Sequence, residues 1–178
     1  MDRKQQRGLT FLCLDIVNPP HTANGSEIHK FEFLDNLAGK IETLIVLCRG
    51  DVPFAPRRGL RCIRLAGGNI FLTYLHFFVF LLGNAVFLDC DVLYTRGSSF
   101  GYFGSKILRL HKNTRLVVEV NGILDDEYAL RGDRMRGGKR LGSLRMRMNW
   151  TIAHRMERYF LTHADTFIAV TEGIRQHL

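Results

Sequence analysis

Short apolar runs and stretches of helical period take turns along almost the whole chain. The first run, Leu9 to Val17 (LTFLCLDIV), suits a strand buried on both faces of a parallel sheet. Runs of the same kind recur at Glu42–Arg49, Arg61–Leu65, Val92–Thr95, Arg115–Val120 and Thr166–Val170. Between the first two lies a helical stretch, Glu27 to Ala38. It places Ile28, Phe31, Leu34 and Ala38 at spacings of three and four and is stopped by Gly39. Further helices are expected from the Arg96-Gly97-Ser98-Ser99 turn to about Leu110, from Leu141 to His163, and after Thr171, which caps the last one. Such alternation implies an α/β, doubly wound, Rossmann-like domain with a mostly parallel sheet of about six strands. The 178 residues suit one such domain.

Ligands of these sheets sit beyond the carboxyl ends of the strands. That rule singles out Asn24-Gly25-Ser26, Arg96-Gly97-Ser98, Glu119 with Asn121-Gly122, and Thr171-Glu172. The turn from the first strand into the first helix is the most suggestive of these. Asn24-Gly25-Ser26 puts nearly bare backbone where unpaired helix N–H groups point outward, a natural seat for a phosphate or carboxylate. An ordinary capped helix start with Ser26 as N-cap reads equally well.

Two other stretches bear on partners. Ile70 to Leu88 has no charged residue and six aromatics, and it is long enough to cross a bilayer. However, Thr73, His76, Gly83 and Asn84 interrupt it, and it fills the helix slot between two strands. We read it as a buried or half-buried crossover helix, with a membrane-touching face as a sub-case and His76 as a hydrogen-bonded histidine. The formal charge of +8 is concentrated in Arg131, Arg134, Arg136, Lys139, Arg140, Arg145 and Arg147, against the single acid Asp133. Such a block attracts polyanions: nucleic acid, anionic lipid headgroups or phosphorylated substrates. A solvated loop without a ligand is the plainer reading. Nucleic acid is disfavoured, because only Tyr128 and Trp150 stand near the block and no nucleic-acid motif is present. Asp125 to Arg140 reads as a long loop. The stripe Leu144, Met148, Ile152, Met156, Tyr159 and Phe160 reads as core.

Cys13, Cys48, Cys62 and Cys90 share neither metal-ligand nor redox spacing, and the first eight residues do not open a secretory signal. Both point to a reduced, cytoplasmic setting. Common α/β activities fail on motif: there is no G-x-G-x-x-G, no G-x-x-x-x-G-K-[ST] and no G-x-S-x-G.

Four segments in order carry a resemblance. Gly25-Ser26-Glu27-Ile28-His29 resembles the Gly-Gly-x-Glu turn of family-4 glycosyltransferases, with Asn24 in place of the first glycine. Asp91 to Arg96, then VVEVNG (117–122) with Glu127 downstream, then Ala164-Asp165 through Val170-Thr171-Glu172-Gly173-Ile174 are similar to the amino-terminal domain of the same family.

The resemblance implies the acceptor-side half of a two-domain GT-B enzyme. Its carboxy-terminal domain, which binds the nucleotide-sugar, is expected to lie outside this chain, leaving the single domain inactive alone. By the same resemblance, Asn24, Gly25 and Ser26 meet the donor diphosphate. Arg96, Glu119, Asn121, Gly122, Glu127, Thr171 and Glu172 line the acceptor side, with Glu119 and Asn121 the candidates for catalysis. The reaction implied is sugar transfer with retention, without metal or other cofactor, from a nucleotide-sugar to a sugar acceptor; the apolar stretch Ile70 to Leu88 and the basic block Arg131 to Arg147 suggest a peripheral enzyme at the cytoplasmic membrane face, and a lipid-linked acceptor with it. The seven-residue gap between Glu119 and Glu127 copies the family's donor-binding glutamate pair, but that pair belongs to the second domain, so the match is coincidental. A sugar-nucleotide epimerase half and a non-catalytic polyanion-binding module are the alternatives.

Overall fold

The computed structural model describes residues 8–18, 25–50, 54–66, 68–84, 90–109, 114–121 and 140–177, the side chains of Ser26, His177 and residues 140–150 excepted. Its strands are β1 (Thr10–Val17), β2 (Thr43–Arg49), β3 (Leu60–Leu65), β4 (Val92–Thr95), β5 (Arg115–Val120) and β6 (Thr166–Ala169). Its helices are α1 (Gly25–Ala38), α2 (Ile70–Asn84), α3 (Ser99–Arg109), α4 (Arg140–His163) and α5 (Glu172–His177). The strands form one six-stranded sheet in the order β3-β2-β1-β4-β5-β6, every pair parallel. The expected doubly wound domain is therefore present, and each strand agrees with its apolar run to within a residue.

Alternation along the strands divides the core in two. Leu12, Leu14 and Ile16 of β1 join Ile45 and Leu47 of β2 beneath α2, α3 and α4, against Phe77, Leu81, Leu108 and Phe160. Phe11, Cys13 and Val17, with Leu44, Val46 and Cys48, face α1 and pack on Leu34 and Ala38. No helix connects β2 to β3 among the described residues. Phe54 of that connection instead fills the α1-side core, its ring 4.8 Å from that of Phe31.

α3 lies close on the sheet because of two glycines. A Cβ on Gly101 would stand 1.8 Å from Thr95 Oγ1, and one on Gly104 would stand 2.8 Å from Leu14 Cδ2. This proximity draws the amino end of α3 up to the tip of β4.

Three expectations change. α1 spans Gly25–Ala38, so Ser26 lies inside the helix and is not its N-cap; Asn24 lies outside the described residues. Ile28 is exposed. It precedes Leu34 by six residues, which puts it about 120° round the helix from the buried stripe. Ile152 is exposed as well, while Met156, Tyr159 and Phe160 carry the contact of α4. Its four-residue spacing to Met156 and on to Phe160 drifts about 40° per step, enough to turn Ile152 outward. Most of the loop from Asp125 to Arg140 lies outside the described residues; Arg140 itself opens α4.

α2 is half-buried. Thr73, Phe77 and Leu81 point inward at four-residue spacing, and His76 Nδ1 accepts the backbone N–H of Ala66 at 3.2 Å. Among the described residues, no helix is long and apolar enough to cross a membrane.

Candidate functional site

Sheet order reverses between β1 and β4, and at their carboxyl tips the chain leaves in opposite directions, which opens a crevice. A pocket of about 380 Å³ occupies it. Asp15, Ile16 and Asn18 come from β1 and its exit, Glu27 and Lys30 from α1, and Arg49 from the end of β2. Ile70 and Thr73 of α2, Arg96, Ser98 and Phe100 around the start of α3, and Asn121 after β5 complete the lining.

Each charged group in this crevice is held by a named partner. Asp15, an acid within an otherwise apolar strand, is buried. Its Oδ1 accepts Thr95 Oγ1 at 3.1 Å and its Oδ2 accepts the backbone N–H of Arg96, so one carboxylate ties the tip of β1 to the tip of β4. Lys30 is also buried. Its Nζ donates to the Ile16 carbonyl at 2.7 Å and to Glu27 Oε1 at 2.9 Å. Asn18 Nδ2 reaches Glu27 Oε2 at 3.4 Å. The first turn of α1 is thus clamped to the exit of β1 from both sides of the intervening turn.

A second cluster sits over β4 and β5. Arg96 Nε is 2.9 Å from Glu119 Oε1, an ion pair whose angle falls short of a hydrogen bond. Tyr94 donates its hydroxyl to Glu119 Oε2, and His29 Nε2 lies 3.6 Å from Oε1. Burial, then the hydrogen bond to Glu119 and its negative charge, hold the Tyr94 phenol in its neutral form by raising its pKa.

The amino end of α3 is set by Gly97, whose φ of 79° suits glycine, and by Ser98 Oγ, which accepts the N–H of Gly101 at 3.0 Å. Tyr74 of α2 bonds Ser99 and stacks on Phe100 at 4.2 Å, fixing the apolar wall.

Of the residues singled out by sequence, Arg96, Ser98 and Asn121 line the pocket. Glu119 stands behind Arg96 with its side chain 2% exposed. Gly25 opens α1, with nothing within 4 Å of a Cβ built on it. Thr171 and Glu172 are exposed at the β6–α5 turn and do not line the pocket. Thr171 Oγ1 accepts the N–H of Ile174, the expected cap, and Glu172 pairs with Arg175. Asn24, Gly122, Glu127, Arg131, Arg134, Arg136 and Lys139 lie outside the described residues, as do the side chains of Ser26, Arg140, Arg145 and Arg147. Sequence reasoning passed over Asp15, Asn18, Lys30, Arg49 and Thr73. Asp15 alone carried a signal: a lone acid in a buried strand requires a partner.

The lining mixes carboxylate acceptors, amide groups, hydroxyls and cations, several of them neutralised in pairs, beside the apolar Ile70 and Phe100. That chemistry fits a polyhydroxylated, weakly charged ligand better than a bare anion. Among the described residues, no three His, Cys, Asp or Glu side chains converge as metal ligands.

No family model matches the chain, and no curated protein does. Among solved structures it is similar to sucrose-phosphate synthase from Thermosynechococcus elongatus, with a TM-score of 0.64 and 16% sequence identity over 97% of this chain. The chain spans 44% of that protein's length. At this identity the likeness shows a shared fold alone.

Proposed function

We propose that this chain is the acceptor-side domain of a sugar-transferring enzyme, in which the crevice between β1 and β4 receives the acceptor. One observation carries the reading: a pocket at the sheet's switch point lined by alternating donors and acceptors with an apolar wall. Hydroxyl groups of a sugar both donate and accept, so they satisfy Asp15, Asn18, Arg96 and Asn121 without bringing in net charge. Phe100 and Ile70 offer the apolar contact that a sugar ring's C–H face requires.

In this account the donor diphosphate sits at the start of α1, near Asn24, Gly25 and Ser26, where the helix terminus favours negative charge. A nucleotide-sugar is then co-substrate, a second Rossmann-like domain supplies its binding, and neither metal nor other cofactor takes part. Transfer proceeds with retention. The single domain contributes orientation and lacks the opposing wall that makes the reaction effectively intramolecular, so it is inactive alone. Arg96, kept in place by Glu119, stands on the acceptor side of the crevice, where its remaining N–H groups can orient a sugar hydroxyl.

The test is calorimetric titration of the chain with neutral hexoses and disaccharides, with hexose phosphates, and with free inorganic phosphate. Binding of a neutral sugar, weakened about tenfold by Asn121→Leu with unchanged unfolding, supports the reading. Binding of phosphate alone, insensitive to that substitution, contradicts it.

A further inference from the structure

We propose that the outer face of α2 is a docking surface for an anionic lipid bilayer, on which the helix lies in the interfacial plane. The inference stands apart from the reading of the pocket. Phe71, Leu72, Leu75, Val79 and Leu82 are 44–69% exposed along one side of the helix, opposite the buried Thr73, Phe77 and Leu81. No residue of α2 carries a formal charge. A solvent-facing helix normally presents charged side chains on its outer face, and this one presents large apolar groups over about 22 Å. Phe103 of α3, also exposed, continues the patch through its edge contact with Phe78.

Charge decides the occupant. The helices that share this side of the sheet carry Lys106 and Arg109 on α3 and five arginines on α4, against the single carboxylate Glu157. Lys106, Arg155 and Arg158 are exposed. The opposite side differs: α1 carries Glu27, Glu32 and Asp35 against Lys30. An apolar stripe on the side of the sheet whose helices carry the excess of cations, in a domain of net charge +8, matches a surface that offers acyl chains beneath a negative headgroup layer. A second protein would be expected to meet a mixed polar rim; a bilayer needs only the one sign. Among the described residues the helix is too short to span, so the proposal lays it on the membrane surface.

The experiment is vesicle sedimentation of this chain with phosphatidylcholine alone and with added phosphatidylglycerol, at low and at high salt, beside sedimentation velocity without lipid. We expect a partition coefficient about tenfold or more higher on anionic vesicles, reduced by salt. The triple variant Phe71→Ser/Leu75→Ser/Val79→Ser should lose about tenfold or more of that binding while unfolding at the same temperature. Should that variant misfold, Lys106→Glu/Arg155→Glu serves in its place and should abolish the preference for anionic lipid. Equal binding to both vesicle types, no binding, variants that bind as the parent does, or a lipid-free dimer broken by the α2 substitutions would each overturn the proposal.

Discussion

Arg96 Nε stands 2.9 Å from Glu119 Oε1 across the tips of β4 and β5, with the two side chains 9% and 2% exposed. An ion pair this enclosed costs much desolvation, and removing one partner leaves the other charged and buried. Arg96→Met should therefore lower the unfolding free energy by about 3 kcal/mol, since among the described residues Glu119 would keep Tyr94 and His29, 3.6 Å away. The double variant Arg96→Met/Glu119→Leu should recover most of that loss. Urea titrations of the four proteins give the coupling; additive losses would mean the pair is not a unit.

Close approach of α3 supplies a second expectation. Gly101→Ala forces a methyl group into Thr95 and should destabilise the domain by about 2 kcal/mol, because Thr95 is itself fixed on Asp15. Gly25→Ala meets open space at the start of α1 and should be neutral or slightly stabilising. Thermal unfolding of the two variants checks the contrast. Any effect of Gly25→Val must then come through a bound ligand and not through packing.

Lys30→Met keeps the stem of the side chain and removes the Nζ that joins Ile16 and Glu27. The Ile16 carbonyl loses its clamp, at a cost of about 1–3 kcal/mol. Hydrogen exchange should rise at the start of α1, with β5 and β6 unchanged. Uniformly faster exchange would show that Lys30 supports the whole core and does not act locally on this turn.

Stability should fall at alkaline pH. Burial, with like-charge terms behind it, pushes the Cys48 thiol up to about 12 from 9.0, and raises Cys13 and the Tyr94 phenol further. Each group is neutral in both states below its unfolded pKa. Above that value the unfolded chain releases a proton that the folded chain retains, so stability present below pH 9 declines as pH climbs toward the folded values. Each group contributes about 1.4 kcal/mol per pH unit in that window. Urea titrations from about pH 8 to pH 10 should show the decline, and Cys48→Ala should make it shallower. A flat profile would contradict the burial of these groups.

The sheet was legible because a strand covered on both faces needs an unbroken apolar run, and Leu12 to Leu14 or Leu44 to Leu47 admit little else. The doubly wound layout and a site beyond the strands' carboxyl ends followed from the alternation; the strand order, and with it the crevice between β1 and β4, did not. The side chains that build the crevice did not. Lys30 reads as a surface residue of an amphipathic helix, and only the fold shows it turned inward onto the Ile16 carbonyl. Thr73 looks like an interruption in an apolar helix, yet it donates to the Ala66 carbonyl at 2.9 Å and is buried. Arg96 and Asn121 could be read because each directly follows a strand, where position alone assigns a role. Ile28 misled through repeated three-residue steps and Ile152 through repeated four-residue steps, each of which drifts from the helix's 100° turn per residue.

The central claim, that the crevice between β1 and β4 receives a sugar, is tested most directly by mapping amide shifts in labelled protein titrated with a neutral disaccharide. The account predicts saturable shifts clustered at Asp15, Asn18, Arg96, Ser98 and Asn121, with β3 and α5 silent. Shifts confined to any other face, or none at millimolar sugar, would contradict it.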